Sequence, residues 1–435
     1  MYRRGWCQLG DSFYTDFAAP RGLPFHACHV GPDAALRLAA FARAEGAALC
    51  LLICDDNTYP AGGEHVTREL VEAGLMVQHH RFGPGPIDGT DTLGDEVARG
   101  ADGVDLVVAV GSGTLTDLAK YAGDKLKRPV LLYPTAASMN GYTSGITALK
   151  VRGLKRTLPC TPAAGIFANP EHVATAPQRM TAAGVADFLS KCSSSTDWRA
   201  SHILQDVAFD PKAREFFEGI QERLIEAAPH VGRGDPEAVA LALEALLLSG
   251  FSMVIAGSSA PASGGEHLIS HYLDMKSALH GTPHDLHGTQ VGVATVHCLG
   301  LWEKIMALTP DAISIERLIG ARPSDAQVSA WIREDWGAEV GPEVQAQWDA
   351  KKMDAAALRK FLERIRKELP RMQRELPQDL LSSAVVARAI RESGGPTSPE
   401  DLEAPVEEYR NALTRARYIR NRFTVLDLAQ DLGLV

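Results

Sequence analysis

The chain has 435 residues, of which 45% are hydrophobic and 23% charged, and its formal net charge at pH 7 is −10. This composition is typical of a soluble globular protein with room for two domains. The acidic balance argues against a general nucleic-acid binder, because such proteins usually present a basic face. It permits a small phosphorylated substrate, which needs only a few local cations and helix N-termini.

Strand and helix patterns alternate along the first part of the chain. Short apolar runs bounded by turn residues predict strands, and the amphipathic stretches between them predict helices. This alternation favours a parallel sheet with helices on both faces. We expect strands over 47–54, 74–82, 105–110 and 128–134, and helices over 32–46, 92–101 and 116–126.

From about residue 170 onwards, long helical patterns replace the strand patterns. The clearest of them cover 211–230, 236–250 and 354–369. We therefore predict an α/β nucleotide-binding domain with a parallel sheet over 1–168, followed by an all-helical domain over 169–435.

The most apolar stretch, 238–257, predicts a buried core helix rather than a membrane span, since Glu244, Ser249, Gly250 and Ser252 interrupt it. The N-terminal segment has no apolar run typical of a signal peptide. The seven cysteines are an odd number, and we interpret them as reduced thiols that pack like small hydrophobic side chains. We therefore expect a cytoplasmic protein without a membrane partner.

A glycine turn, Gly111-Ser112-Gly113-Thr114, follows the strand over 105–110. Glycines at such a place let the backbone approach a pyrophosphate, and the next helix offers amide donors at its N-terminus. The Rossmann fingerprint has a third glycine where this chain has Thr116, so the turn is not that fingerprint. A nucleotide site and an ordinary tight turn are both open at this stage.

Two further segments follow predicted strands. The loop over 133–149 is rich in small and hydroxylated residues, which suit contact with phosphates or a nicotinamide ring; an ordinary Ser/Gly loop is the alternative. Asp55 comes just after the strand over 47–54, where a carboxylate can accept hydroxyls of an adenine ribose and favour NAD over NADP. The alternative for Asp55 is an Asp/Asn turn.

Six of the 14 histidines lie between residues 267 and 297. His267 and His271 are four residues apart and share a helix face, and His287 opens the next segment. Imidazoles with a carboxylate suit zinc, nickel or iron. Asp187 is a candidate carboxylate, because it stands among small residues and a lone buried aspartate is costly unless it is paired or metal-bound. Ordinary core and surface histidines are the alternative.

Taken together, these motifs resemble the sn-glycerol-1-phosphate dehydrogenases, in the superfamily of iron-containing alcohol dehydrogenases, glycerol dehydrogenase and dehydroquinate synthase. The most specific piece is PASGGEHLISHYLDM (261–275), and the tail RYIRNRFTVLDLA (417–429) is similar to the bacterial branch. The other pieces are GSGTLTD (111–117) with Lys120, PTAASMNGYTS (134–144), ADFLSK (186–191) with Asp197 and Trp198, SGFSMVIAGSSA (249–260) directly before the most specific piece, and HGTQVGVAT (287–295).

The resemblance implies a dehydroquinate synthase-like fold, in which the first domain binds NAD or NADP and the helical domain binds one divalent metal: zinc, nickel or iron. It implies Asp187, His267 and His287 as metal ligands, and catalytic contacts from Asp187, His271 and Asn140. It also implies a homodimer. The implied dinucleotide contacts, besides Asp55, are Gly111, Ser112, Gly113, Thr114, Leu115, Thr135, Ala136, Ala137, Ser138 and Ser144.

The implied reaction interconverts dihydroxyacetone phosphate and sn-glycerol 1-phosphate. The family usually has aspartate where this chain has Asn140, and that residue contacts substrate. Asparagine keeps an oxygen acceptor, loses the charge and adds two donors. A different small polyol, phosphonate or sugar phosphate is therefore an alternative substrate.

Two other functions are alternatives. A cyclase of the dehydroquinate synthase type is expected to carry a larger set of basic residues than this chain shows. A catalytically silent NAD-binding protein has no need of a metal ligand set. The cation for a substrate phosphate cannot be chosen from the sequence; the candidates are Lys155, Arg156, Lys191 and Arg199.

Overall fold

The computed structural model describes residues 13–85, 87–151 and 154–435, apart from the side chains of Leu154 and Lys155. The predictions for the Cys7 thiol and for Lys155 as a phosphate-binding cation lie outside the described residues. The six described cysteines are all free, and only Cys160 among them is not fully buried. They fit the expected role of small hydrophobic side chains.

Six parallel strands form one sheet in the order β1-β8-β5-β4-β2-β3, and two antiparallel strands form a separate hairpin, β6–β7. All six residues of β4 are buried, as expected for a central parallel strand. The bounds are β1 Ala27–Val30, β2 Leu49–Asp55, β3 Met76–Phe82, β4 Leu106–Gly111, β5 Val130–Pro134, β6 Ile146–Val151, β7 Leu154–Pro159 and β8 Gly165–Ala168.

The remaining regular structure is helical, with short 3-10 and π turns between the helices. The α-helices are α1 Ala34–Ala44, α2 Glu64–Glu72, α3 Asp91–Arg99, α4 Gly113–Leu126, α5 Pro170–Ala174, α6 Gln178–Leu189, α7 Lys191–Gln205, α8 Pro211–Arg214, α9 Ile220–Val231, α10 Pro236–Ala256, α11 Gly265–His280, α12 His287–Met306, α13 Ile315–Ala321, α14 Asp325–Asp349, α15 Ala355–Glu375, α16 Ser383–Glu392, α17 Val406–Arg415 and α18 Val425–Asp431.

The chain divides into two compact units. The first comprises residues 1–188, 215–258 and 392–394, and it contains both sheets. The second comprises residues 189–214, 259–391 and 395–435, and its regular structure among the described residues is helical. The change in sequence pattern predicted a domain boundary between residues 168 and 169. That boundary stays a prediction.

Helix α10 belongs to the first unit and is the one described helix that is long and apolar enough to cross a membrane. Of its most apolar window, 83% is buried inside the protein. Its polar residues Glu244, Ser249 and Ser252 are buried as well. It is therefore a core helix, as its interruptions predicted.

Most predicted elements are present, but the single helix predicted over 211–230 is wrong. The chain forms α8, a 3-10 turn and α9 there instead. Gly219 separates the last two pieces with a φ of 71°, a left-handed conformation that a continuous helix does not tolerate. Strands β1 and β8 and the β6–β7 hairpin were not predicted.

The sheet places two loops side by side at its carboxyl edge. β4 and β5 are neighbours, and Gly111 at the end of β4 pairs in register with Pro134 at the end of β5. Ligands of open α/β sheets bind at this edge. The loops that begin at these two residues are the ones the sequence analysis selected.

Candidate functional site

The turn from β4 into α4 depends on Gly111. A Cβ on Gly111 would lie 2.3 Å from Leu115 Cδ1, so a side chain would block the turn. Ser112 precedes the first residue of α4 and its side chain makes no capping hydrogen bond. A Cβ on Gly113 would meet nothing closer than Met139 Cγ at 3.6 Å, so packing does not require glycine there. The amides at this N-terminus suit an anionic ligand group.

The loop after β5 is held to this turn and to itself. The Thr135 amide donates to the Gly111 carbonyl over 3.2 Å, which joins the two loops. The buried Tyr142 hydroxyl donates to the Ala136 carbonyl over 2.7 Å. The segment that carries Thr135, Ala136, Ala137 and Ser138 therefore has a defined conformation next to the glycine turn.

Lys120 fixes the far end of the same loop. Its ammonium group donates to the Gly141 carbonyl over 3.0 Å, to the Ile146 carbonyl over 2.6 Å and to the Ser144 hydroxyl over 3.3 Å. The side chain is completely buried. A buried charge of this kind is tolerated only when its donors are satisfied, so Lys120 and the loop stabilise each other.

Two glycines bring helices against this loop. A Cβ on Gly184 of α6 would lie 1.9 Å from the Ala137 carbonyl oxygen. A Cβ on Gly250 of α10 would lie 1.9 Å from Thr143 Oγ1, which donates a hydrogen bond of 2.6 Å to the Leu247 carbonyl. Neither contact is compatible with a larger residue unless the loop moves.

Asn140 and Asp187 meet within the first unit. The Asn140 amide donates to Asp187 Oδ2 over 3.2 Å, and the Asn140 side-chain amide donates to Ser249 Oγ over 3.2 Å. Asp187 lies on α6 and is 1% exposed. The structure thus brings together two predicted catalytic residues and adds Ser249, which no sequence motif indicates as a site residue.

Asp55 lies at the carboxyl end of β2, as expected. Its Oδ1 atom accepts hydrogen bonds from the amides of Asn57 and Thr58, over 2.9 Å and 2.6 Å. Asp55 therefore caps an Asp/Asn turn, the alternative to a ribose contact that its sequence position left open. The neighbouring Asp56 pairs with Arg81 over 2.6 Å.

A cavity of about 590 Å³ lies at the carboxyl end of β3. Its walls come from residues 82–85, 87, 88 and 90 of the segment that begins at the end of β3 and from α3. Gly89 of this segment packs against the first turn of α4, because a Cβ on Gly89 would lie 3.2 Å from Thr114 Cγ2. The segment that lines this open cavity therefore also reaches the start of α4.

Three of the predicted histidines cluster within the second unit. The ring centroids of His267 and His287 are 5.3 Å apart, and those of His271 and His287 are 5.6 Å apart in a stacked arrangement. His267 is buried, whereas His271 and His287 are half-buried. Helices α11 and α12 therefore bring His287 to the face of α11 that carries His267 and His271.

The other three histidines of the run lie outside the ring contacts of this cluster, although His284 and His287 both approach the Asp274 carboxylate. His280 and His284 are exposed, although His284 Nδ1 lies 3.6 Å from Asp274 Oδ1. His297 is largely buried, and burial lowers its pKa. None of the three has a described ring contact with His267 or His287.

The two central imidazoles are each held through Nδ1. Glu266 Oε1 lies 2.9 Å from His267 Nδ1, and Ser270 Oγ lies 2.9 Å from His287 Nδ1. Ser270 also donates to Gln290 Oε1 over 3.2 Å. Hydrogen bonds to one ring nitrogen set the tautomer and orientation in which the other nitrogen binds a metal.

Buried polar residues support Glu266 in turn. The Ser193 hydroxyl donates to Glu266 Oε2 over 2.9 Å, and the Gly264 amide donates to Glu266 Oε1 over 2.7 Å. Asp197 accepts from the Gly265 amide and from Trp302 Nε1, over 2.8 Å and 3.0 Å. Burial, followed by the Glu266 charge, raises the pKa of Asp197 well above its usual range.

These residues fit part of a metal site. Two imidazoles that share a tetrahedral ion at about 2.1 Å have ring centroids roughly 5.4 Å apart, and His267 and His287 are 5.3 Å apart. Among the described residues, no three His, Cys, Asp or Glu side chains are grouped as a complete ligand set. Within the second unit, the observed candidate metal ligands are therefore the two imidazoles of His267 and His287.

Two of the candidate phosphate-binding cations have clear structural roles. Lys191 is 1% exposed and donates to the Ala262 carbonyl over 3.0 Å. Arg199 pairs with the buried Asp379, with Nε 2.9 Å from Oδ2. Both contacts lie within the second unit. Because Lys191 and Arg199 are engaged in them, the cation that binds a substrate phosphate is expected among other residues.

A family model described as iron-containing alcohol dehydrogenase matches residues 29–177. The NAD(P)+ glycerol-1-phosphate dehydrogenase of Geobacillus stearothermophilus is 26% identical over 425 residues, which cover 95% of this chain and 94% of that protein. That of Halalkalibacterium halodurans is 32% identical over 278 residues, which cover 63% of this chain and 70% of that protein. The chain belongs to the glycerol-1-phosphate dehydrogenase family.

A solved structure from outside that family supports the fold. The chain superposes on the NADH-dependent butanol dehydrogenase A of Thermotoga maritima with a TM-score of 0.58 at 15% identity, over 95% of this chain and 97% of that one. The predicted fold class is confirmed: a parallel α/β sheet followed by a largely helical region. The glycerol-1-phosphate dehydrogenase resemblance drawn from the motifs is confirmed as well.

Proposed function

We propose that the chain is a metal-dependent, NAD(P)-linked dehydrogenase that interconverts dihydroxyacetone phosphate and sn-glycerol 1-phosphate in the cytoplasm, as a homodimer. The observation that carries the proposal is the pair His267 and His287, 5.3 Å apart and each held through Nδ1. Similarity to relatives named glycerol-1-phosphate dehydrogenase supports the substrate.

The dinucleotide would bind at the carboxyl edge of the sheet. Its pyrophosphate would face the N-terminus of α4, where Gly111 to Leu115 turn sharply. Packing does not require glycine at position 113, so its missing side chain is available to let a ligand approach the backbone. The loop from Thr135 to Ser138, with Ser144, would position the nicotinamide end. The open cavity at the carboxyl end of β3 would take the adenosine end. Asp55 would need only Oδ2 for a ribose hydroxyl, since Oδ1 caps a turn.

One divalent ion, zinc, nickel or iron, would have His267, His287 and Asp187 as its protein ligands. Three ligands of this type are typical of catalytic metal sites. When bound, such an ion lowers the pKa of an alcohol and polarises a ketone. Asp187 is included as the carboxylate because the resemblance selects it and because it lies beside Asn140, the other residue that the resemblance places at the substrate.

The chain's own residues would orient the substrate and move its proton. His271 is half-buried and stacks at 5.6 Å on His287, a position from which an imidazole can exchange a proton with solvent. Asn140 offers a side-chain oxygen to a substrate hydroxyl, while its amino group donates to Ser249. The loop held by Lys120 would exclude water from the nicotinamide side.

Asn140 also supports a second candidate, a dehydrogenase of the same family for another small polyol, phosphonate or sugar phosphate. The family aspartate would bring a negative charge to this place, and asparagine removes it. A substrate with more negative charge near its hydroxyl groups would then be favoured.

The deciding experiment is NADH oxidation with dihydroxyacetone phosphate. Chelator-treated protein is assayed first, and then with zinc, nickel or iron restored. We expect turnover only after one of these metals is added. Absence of turnover with every metal, despite tight NADH binding, would contradict the substrate and move the second candidate forward.

A variant pair tests the ligand assignment separately from the substrate. We expect His267→Ala to lose the bound metal and all turnover while NADH affinity stays within a few-fold of the wild type. His280→Ala is the matched control, because His280 lies on the same helix and is exposed. Metal content is measured by elemental analysis, and a His267→Ala protein that keeps its metal and its activity would refute the assignment.

A further inference from the structure

The turn that precedes α11 is held by a guanidinium group. Arg422 Nη1 donates to the Ser263 carbonyl over 2.6 Å, and Arg422 Nη2 donates to Ser259 Oγ over 3.0 Å. Ser263 stands four residues before His267 on the same continuous segment. Arg422 therefore lies against the backbone that leads directly into the histidine cluster.

The contacts of Arg422 are to neutral oxygens, and they use two of its donors. A guanidinium has five N–H donors in a planar fork, and the two hydrogen bonds engage one on each terminal nitrogen. Arg422 is half-buried, so it is neither fully solvated nor sealed from a ligand. Such a group suits a ligand with several anionic oxygens.

A second arginine lies close by. Burial, followed by the positive charge of Arg420, lowers the pKa of Arg422 to about 10, against the opposite effect of Glu266 and Asp197. Burial also lowers the pKa of Arg420. An anion bound at Arg422 would favour its charged form and so oppose this effect of burial.

The nearby carboxylates are engaged elsewhere. Glu266 accepts from Ser193, from Gly264 and from the His267 ring. Asp197 accepts from three donors as well: the Gly265 amide, Trp302 Nε1 and the Val425 amide. These hydrogen bonds hold the start of α11. The two carboxylates therefore affect Arg422 through their charge, and neither accepts a described hydrogen bond from its guanidinium group.

Other buried cations of the second unit differ from Arg422 in this respect. Arg417 donates to Asp427 over 3.0 Å, and Lys351 donates to the same carboxylate over 2.8 Å. Arg199 pairs with Asp379. These groups already have anionic partners within the protein.

We propose that Arg422 binds the phosphate group of the substrate. The identity of that ligand rests on the proposed function, whereas the anion site rests on the arginine geometry alone. A phosphate would accept two or three charge-assisted hydrogen bonds from the Arg422 donors that the turn does not use. The same side chain holds the turn before His267. The bound phosphate and the histidine cluster would therefore be positioned by the same segment of chain.

The first test measures anion binding without turnover. The full-length protein, saturated with NADH to cover the dinucleotide site, is titrated with inorganic phosphate at constant ionic strength, and its thermal midpoint is followed. We expect phosphate to stabilise the wild type, and Arg422→Gln to weaken phosphate binding by about 10- to 100-fold. Arg410→Gln is the matched control, because Arg410 is exposed and pairs only on the surface of α17.

Arg422→Lys is a second variant in case Arg422→Gln does not fold, since lysine keeps the charge and can reach one oxygen of the turn. We expect it to fold and to bind phosphate more weakly than the wild type, because an ammonium lacks the fork. Equal protection by phosphate in the wild type and both Arg422 variants would overturn the proposal.

The second test compares dihydroxyacetone phosphate with dihydroxyacetone. In Arg422→Gln we expect kcat/KM for the phosphorylated ketone to fall about 10- to 100-fold, mostly through KM, with a change of only a few-fold for the unphosphorylated one. An unchanged KM for dihydroxyacetone phosphate would refute the anion site and leave the proposed function intact. Loss of phosphate protection in a protein that never reduces dihydroxyacetone phosphate would support the anion site and reject that substrate.

Discussion

The close contact between α6 and the loop after β5 gives a sharp prediction for Gly184→Ala. A Cβ at residue 184 would lie 1.9 Å from the Ala137 carbonyl oxygen, 2.8 Å from its carbonyl carbon and 3.0 Å from Leu246 Cδ1. The nearest atom belongs to the backbone, so no rotamer change relieves the clash. Ordinary van der Waals contact begins at 3.4 Å, and the loop must therefore retreat by about 1.5 Å.

The magnitude follows from two opposing effects. Overpacking of a rigid site costs about 1–3 kcal/mol, and a clash with backbone belongs at the upper end. Alanine in place of glycine within a helix stabilises the folded state by about 1 kcal/mol, because alanine has the higher helix propensity. We expect a net loss of about 1–2 kcal/mol in the free energy of unfolding. The same retreat moves Thr135 to Ser138, and a misplacement of about 1 Å can cost on the order of 100-fold in rate.

The assay pairs urea unfolding with NADH titration by fluorescence. Gly300→Ala is the control: it lies inside α12, and a Cβ there would meet no atom within 4 Å. We expect the control to be as stable as the wild type or up to about 1 kcal/mol more stable, with unchanged NADH affinity. A Gly184→Ala protein with the stability and NADH affinity of the control would refute the packing argument.

Three further predictions concern single side chains. Lys120→Met should weaken NADH binding and destabilise the protein by about 1–3 kcal/mol, because the Gly141 and Ile146 carbonyls and the Ser144 hydroxyl lose the hydrogen bonds from the ammonium group; wild-type titration and unfolding curves would contradict this. Asn140→Asp should change relative kcat/KM values across a ketone panel by at least about 10-fold, with Ser249→Ala as the control for the lost hydrogen bond; an unchanged ranking would count against Asn140. Burial raises the pKa of Cys50 and Cys54 to about 11, so on the order of a thousandth of each thiol is ionised at pH 8. Disulfide-exchange reagents should label neither in the native protein, and fast labelling of both would contradict their burial.

The parallel sheet could be predicted where its strands are continuous apolar runs. LCLLICD of β2 and LVVAVG of β4 are buried on both faces, and such strands differ clearly from the helices around them. The strands ACHV of β1 and GIFA of β8 have only four residues each. Segments that short gain their stability from pairing with each other, which is a contact distant in sequence and invisible to local patterns.

The candidate site was predictable to a similar extent. The four-residue spacing of His267 and His271 places both on one face of α11, but only the packing of α12 brings His287 within 5.3 Å of His267. The serine-rich segment after Asp187 had no explanation in the sequence. In the structure, Ser193 supports Glu266 and Ser194 donates to the Pro261 carbonyl over 2.9 Å. Such hydrogen bonds depend on partners about 70 residues away, which no local pattern specifies.

The contact between Asn140 and Asp187 bears on how substrate choice can vary within this family. Asn140 reaches the Asp187 carboxylate with its backbone amide, whereas its side chain is directed to Ser249. The backbone amide exists for every residue except proline, so the hydrogen bond to Asp187 is independent of the side chain at position 140. Lys120, Gly184 and Gly250 hold the surrounding loop by contacts that do not involve this side chain either. An exchange of asparagine and aspartate at position 140 can therefore alter what the side chain offers to a substrate while the position of the Asp187 carboxylate is preserved.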